Sequence, residues 1–262
     1  MQLLPSRQFQ PLPILLEPLF ELAGYRCAQG SGEFCSEGRL LGLPRFRIAG
    51  PEAGPERIRV GLFAALHGDE PAGAAALVRF AAALARDPQR AAGYELFLYP
   101  VCNPTGYEAG SRENAAGRDL NREFWRGSDQ PEVRLLEAEL RRHRFHGIIT
   151  LHTDDSCDGL YGYAHGKLLN ESLLRPALAA AERVLPRDRR ERIDGFSAID
   201  GMVGDCFQGI LSAPPDQHPR PFDLIFETPG LANFESQVSA SVAALDSILA
   251  EYRVFIAYAQ DL

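Results

Sequence analysis

Apolar and polar positions fall in alternating blocks along this chain. RIRVGLFAAL (57–66), YELFLYPV (94–101), FHGIITLHT (145–153) and FDLIFETPG (222–230) are short apolar runs bounded by turn residues. Such runs predict buried strands. GLYGYAHG (159–166) predicts a further short strand. Between them the apolar spacing turns helical. EPAGAAALVRFAAALAR (70–86) predicts an Ala-rich helix with Pro71 in its first turn, where the missing N–H costs nothing. QPEVRLLEAELRRHR (130–144), ESLLRPALAAAERVL (171–185, despite Pro176) and ESQVSASVAALDSILAEYRVFIAYA (235–259) predict three more helices. Strands alternating with helices predict an α/β fold: one sheet with helices on both faces.

The pattern is weaker elsewhere. A short amphipathic helix is predicted over 15–24, and a strand or hairpin arm over 38–50, where Pro44 favours an edge. Residues 1–50 are read as an N-terminal extension packed on a domain spanning 51–262. Residues 103–128 carry Asn, Gly, Ser and Arg with little apolar periodicity and predict a long loop. Long loops inside a domain are functional or disordered. Residues 186–220 read as loop-rich. No repeat, low-complexity tract or linker divides the chain.

Composition narrows the class. The chain has 262 residues, 45% hydrophobic and 24% charged, which is ordinary for a soluble domain with a large core. A formal net charge of −8 argues against a nucleic-acid partner. PLPILLEPLFEL near the start is broken by Glu17 and prolines, so no signal peptide is expected. No stretch reaches the ~18 uninterrupted apolar residues of a membrane span. The five cysteines, Cys27, Cys35, Cys102, Cys157 and Cys206, form no CxxC pair. A reduced, cytoplasmic protein is expected, with a single Cys27–Cys35 disulfide as the alternative.

The chemistry gathers at strand ends. His67 and Glu70, His152, and Glu227 each close a predicted strand. In open α/β sheets ligands bind beyond the carboxyl ends of the strands, so these distant residues are expected near one another. Two histidines and a carboxylate form a common catalytic zinc set with one open position. A further carboxylate can then take a proton from water. The long loop adds Arg112, Asn114, Asp119, Asn121 and Arg122. Arginine suits bidentate capture of a carboxylate, although a solvated loop carries arginines anyway.

HGDE (67–70), NPTGYEAGSREN (103–114), GRDLNREF (117–124), TLHTD (150–154) and FETP (226–229) occur in an order and separation that resemble the zinc carboxypeptidases. That family includes pancreatic carboxypeptidases A and B and bacterial murein-peptide amidases. The resemblance implies a mixed, mostly parallel sheet of about eight strands between helices, and makes 51–262 the catalytic domain. It implies that His67, Glu70 and His152 bind one Zn2+. Arg112 would polarise the scissile carbonyl. Asn121 and Arg122 would hold a terminal carboxylate, and Glu227 would be general base and then acid. The substrate would be a small peptide or an N-acyl amino acid, and the reaction hydrolysis of an amide next to a free carboxylate.

Departures and alternatives remain open at this level. The digestive enzymes carry a capping tyrosine between the last zinc ligand and the glutamate. Here no tyrosine lies between Tyr163 and Glu227, so the role passes to a residue such as Phe196 or Phe207, or is missing. Asp154, Asp155 and Asp158 either sit in water or meet a cationic substrate group. Asp69 either orients a ligand or caps the next helix. His143, His146 and His218 read as surface residues. Cys157 could form a Cys–His pair only if the fold brings the two together. Succinylglutamate desuccinylase and aspartoacylase also share HxxE, DLNR and a later histidine. They deacylate N-acyl amino acids and usually carry a further β domain, whereas the residues after Glu227 read as one helix, favouring the peptidase branch. A non-catalytic binding module on the same fold is the alternative of another class.

Overall fold

The computed structural model describes residues 10–22, 27–36, 38–51 and 57–260. In chain order these form α1 (Leu12–Leu22), β1 (Cys27–Ser36), β2 (Arg39–Ala49), β3 (Ile58–Ala64), α2 (Pro71–Arg86), β4 (Tyr94–Tyr99), α3 (Pro104–Ala109) and α4 (Pro131–His143). There follow β5 (Gly147–Asp154), β6 (Tyr161–Ala164), α5 (Lys167–Leu169), a π-helical turn (Asn170–Leu174) and α6 (Arg175–Ala181). The short strands β7 (Arg192–Ile193), β8 (Phe196–Ile199) and β9 (Met202–Val203) precede β10 (Phe222–Pro229) and α7 (Phe234–Gln260).

The strands make one sheet in the order β1-β2-β4-β3-β5-β10-β6-β9-β8-β7. Its centre, β4-β3-β5-β10, is parallel, and the β1-β2-β4 flank is antiparallel. Alternate residues of a strand face opposite layers. Thus Val60, Leu62 and Ala64 of β3 join one core with α1, α2, α6 and α7, while Phe63 enters a second core under α4. There Phe63 stacks on Tyr99 with ring centres 4.6 Å apart and meets Phe145 edge-on. Each such buried ring contributes roughly 1.5–3 kcal/mol.

The expected α/β architecture with helices on both faces is what the chain adopts. The sheet has ten strands instead of about eight, because β1 and β2 pair into it and because residues 192–203 supply three strands of two to four residues. Residues 103–128 are not a single loop. Asn103 caps α3 by accepting from Gly106 N at 2.9 Å, Pro104 sits at the first helical position, and Gly110 ends the helix in the left-handed region. Cys35, Cys102, Cys157 and Cys206 are free thiols, and the side chain of Cys27 lies outside the described residues. Among the described residues no helix is long and apolar enough to cross a membrane.

Candidate active site

β3, β5 and β10 lie side by side, so their carboxyl ends open at one edge of the parallel core. Glu227 stands beside His152 in the β10–β5 register and beside Tyr161 in the β10–β6 register. His67 and Glu70 come from the loop between β3 and α2. That loop turns sharply at Ala65, which has φ +48. It is fixed by Asn103, whose N–H reaches Ala65 O at 2.9 Å and whose Nδ2 reaches Leu66 O at 3.3 Å. Gly68 permits close passage against α3: a Cβ there would lie 1.9 Å from the carbonyl carbon of Gly106.

His67, Glu70 and His152 are all buried, and one ligand atom from each lies within 4.8 Å of the others. Nδ1 of His67 is 2.5 Å from Glu70 Oε1, and Nδ1 of His152 is 2.9 Å from Glu70 Oε2. Oε2 also accepts from Thr153 N at 3.1 Å. The outer ring nitrogens are occupied as well. Nε2 of His67 is 3.2 Å from Asp119 Oδ1, and Nε2 of His152 faces Asn121 Nδ2 at 3.4 Å. His67 therefore sits between two carboxylates. If Nε2 keeps its proton for Asp119, Nδ1 needs either a second proton or a metal ion to lie so close to Glu70. This donor set fits a divalent metal of zinc type, two imidazole nitrogens and a carboxylate oxygen, with further room in the cavity.

The charges reflect the same competition. Burial alone would lower His67, but Glu70 and Asp119 outweigh it and push the imidazole up to about 9. Burial wins at His152, which is lowered. Glu70 would be raised by burial, yet the two imidazoles hold it well below the usual carboxylate range. Glu227 goes the other way. Burial, then the charges of Glu70, Asp154 and Asp194, push its carboxyl well up.

These groups line a cavity of about 480 Å3 together with Arg112, Arg122, Asn121 and the acids Asp154, Asp155, Asp194 and Asp205. Arg112 donates to Asp119 Oδ2 from Nε at 3.1 Å and Nη2 at 2.9 Å, leaving Nη1 toward His67 and Glu70. Asn121 accepts from Leu211 N at 2.9 Å. All seven residues expected in the site, His67, Glu70, Arg112, Asn121, Arg122, His152 and Glu227, thus meet at one cavity.

Other expectations divide. Asp154 and Asp155 line the cavity, whereas Asp158 is exposed and stands outside its lining. Asp154 is already engaged, accepting from Tyr161 OH at 3.0 Å and from Ser156. Asp69 carries a Coulombic interaction with Arg112. Cys157 donates to backbone carbonyls of Asp154 and Gly159, and burial pushes its thiol up, opposite to an activated nucleophile. His143 and His146 are half-buried rather than on the surface: His143 packs on Phe97, and His146 accepts from Arg59 N. His218 is exposed. From the sequence Asp119 reads as one polar residue of the long loop, and its place in DLNR is the available signal. Tyr161 and Asp194 carried no such signal.

Comparison with known proteins agrees with this arrangement. Residues 56–158 match the sequence profile of the succinylglutamate desuccinylase/aspartoacylase catalytic domain, a segment that holds His67, Glu70, DLNR and His152 but not Glu227. A provisionally assigned metallopeptidase from Shewanella denitrificans superposes with a TM-score of 0.73 at 23% identity, covering 90% of this chain and 88% of that one. A metallo-carboxypeptidase from Burkholderia cenocepacia superposes with a TM-score of 0.69 at 19% identity, covering 93% of this chain and 68% of that one. Comparison with curated proteins gives no match. The solved structures show a carboxypeptidase-like fold. The matching segment and the His67–Glu70–His152 group support a metal-dependent hydrolase built on it.

Proposed function

We propose that the chain is a zinc-dependent hydrolase that cleaves an amide bond next to a free carboxylate, of metallocarboxypeptidase or murein-peptide amidase type. The convergence of His67, Glu70 and His152 in a cavity shared with Glu227 carries this reading. Zinc in that donor set would supply Lewis acidity and a nucleophile at neutral pH. Glu227 would take the proton from the attacking water and return it to the leaving amine; its raised proton affinity suits that exchange. Arg112, with Nη1 free of Asp119, would polarise the scissile carbonyl and stabilise the developing oxyanion. Arg122, with Asn121 beside it, would hold the substrate carboxylate.

A second reading keeps the same machinery and changes the acyl group. The match over residues 56–158 supports deacylation of an N-acyl amino acid, again an amide next to a free carboxylate. The test is a substrate panel run with zinc added and with chelator. It contains dipeptides, murein tripeptides, N-acetylaspartate and N-succinylglutamate. Chelator-sensitive cleavage of the peptides supports the first reading, and cleavage of the N-acyl amino acids alone supports the second. No cleavage of any member with zinc loaded would overturn both.

A further inference from the structure

The two cavity arginines differ in their partners. Arg112 is neutralised by Asp119. Among the described residues no salt bridge reaches Arg122. Its Nη1 donates to the carbonyl of Asn121 at 2.7 Å, and its Cζ lies 4.3 Å from the centre of the Phe207 ring. Phe207 is 41% exposed and lies on the cavity wall. Its ring packs against Phe196 of β8 in a T-shaped pair with centres 5.0 Å apart, and the guanidinium lies over its face.

The segment that carries Phe207 is docked on the turn that carries Arg122. Phe124 N donates to Gly209 O at 3.0 Å, and Leu211 N donates to Asn121 Oδ1 at 2.9 Å. Gly209 has φ +77, and a Cβ there would lie 2.3 Å from Arg122 O. Only glycine fits this contact without shifting one segment from the other. The segment just after Phe207 is thus tied to the residues on either side of Arg122, to Phe124 N through Gly209 O and to the Asn121 side chain through Leu211 N, which keeps the ring beside the arginine.

We propose that Phe207 is a positioning residue that sets the affinity of the site for the substrate carboxylate by fixing the guanidinium plane of Arg122. The inference rests on the reading of Arg122 as the carboxylate-holding group. An aromatic face attracts a guanidinium without using its N–H donors, which all lie in the guanidinium plane. With Nη1 on the Asn121 carbonyl, the Nε–Nη2 edge thus stays available for a bidentate carboxylate while the side chain is kept from wandering. Ordering it beforehand removes a cost that binding would otherwise bear.

The test compares wild type, Phe207→Leu and Phe207→Trp, each full-length and zinc-loaded, on peptides of one sequence with a free or an amidated C-terminus. Phe207→Leu keeps an apolar side chain but loses the π face. It is expected to raise KM for the free-carboxylate peptide about two- to thirty-fold, to leave kcat nearly unchanged, and to cut the preference for free over amidated peptide by the same factor. Phe207→Trp restores the face and should restore KM. If wild type prefers the free carboxylate and Phe207→Leu retains that preference, the role of Phe207 is overturned while the reading of Arg122 stands. Loss of kcat on both peptides alike, or failure of Phe207→Trp to rescue, also overturns it. If wild type cleaves both peptides equally, the reading of the site falls and the role of Phe207 with it.

Discussion

Asp119 Oδ1 lies 3.2 Å from Nε2 of His67, on the side of the ring away from Glu70. A carboxylate in that place fixes both the tautomer and the orientation of a metal-ligating imidazole. Asp119 also binds Arg112 through Oδ2 and accepts from Asn121 N at 3.0 Å, so one side chain orders three elements of the site.

Asp119→Asn should therefore weaken zinc binding by about 10- to 100-fold. Competition against a chelator of known affinity measures it. Unchanged affinity would mean that His67 is oriented by something else.

Glu227→Gln should keep zinc at the wild-type ratio and lower kcat by about 10²- to 10⁴-fold, because the amide cannot take the proton from water. Elemental analysis and steady-state kinetics on the same preparation separate the two effects. Turnover close to wild type would remove Glu227 from the chemistry.

Gly68→Ala should destabilise the fold by about 1–3 kcal/mol, the usual cost of inserting a methyl where there is no room. The added carbon would meet the backbone of Gly106 and Tyr107 at 1.9 and 2.2 Å, and backbone cannot swing aside as a side chain can. Denaturant unfolding checks the magnitude. Wild-type stability would show that the β3–α2 loop is not pressed on α3.

Acid lability should be traceable in part to Glu139 of α4, which is not among the residues lining the candidate cavity. Glu139 Oε2 accepts from Arg45 and from Tyr99 OH, both at 2.7 Å, and lies 3.3 Å from His143 Nε2. Burial would raise this carboxyl, but His143, Tyr99 and Arg45 together lower it from its ordinary 4.5 to about 2. A carboxyl depressed in the folded state adds stability that is fully present above its unfolded value. That stability fades as pH falls from 4.5 through about 2. Glu139→Gln should cost on the order of 1–3 kcal/mol at pH 7 and progressively less below pH 4.5. A pH-independent difference in unfolding free energy would contradict this.

The metal-ligand candidates were legible because their strands are. An apolar run that ends in His67 or His152 places that residue at the carboxyl edge of a parallel sheet, and neighbouring strands do the rest. The punctuation of α3, Asn103, Pro104 and Gly110, is in the sequence, but its apolar pattern is not. The helix buries only Pro104, Gly106 and Tyr107, too few for a 3.6-residue period to emerge. β7 and β9 have two residues each, below any alternation that could be counted, and they form only against neighbours already in place. The stacking of Phe207 on Arg122 joins segments far apart in the chain and has no local signature.

His67, Glu70 and His152 are proposed to hold one zinc ion together. The most direct measurement is zinc content by elemental mass spectrometry after loading and desalting, on wild type, His67→Ala and His152→Ala. About one equivalent is expected in wild type and almost none in either variant. Metal-free wild type, or variants that retain a full equivalent, would contradict it.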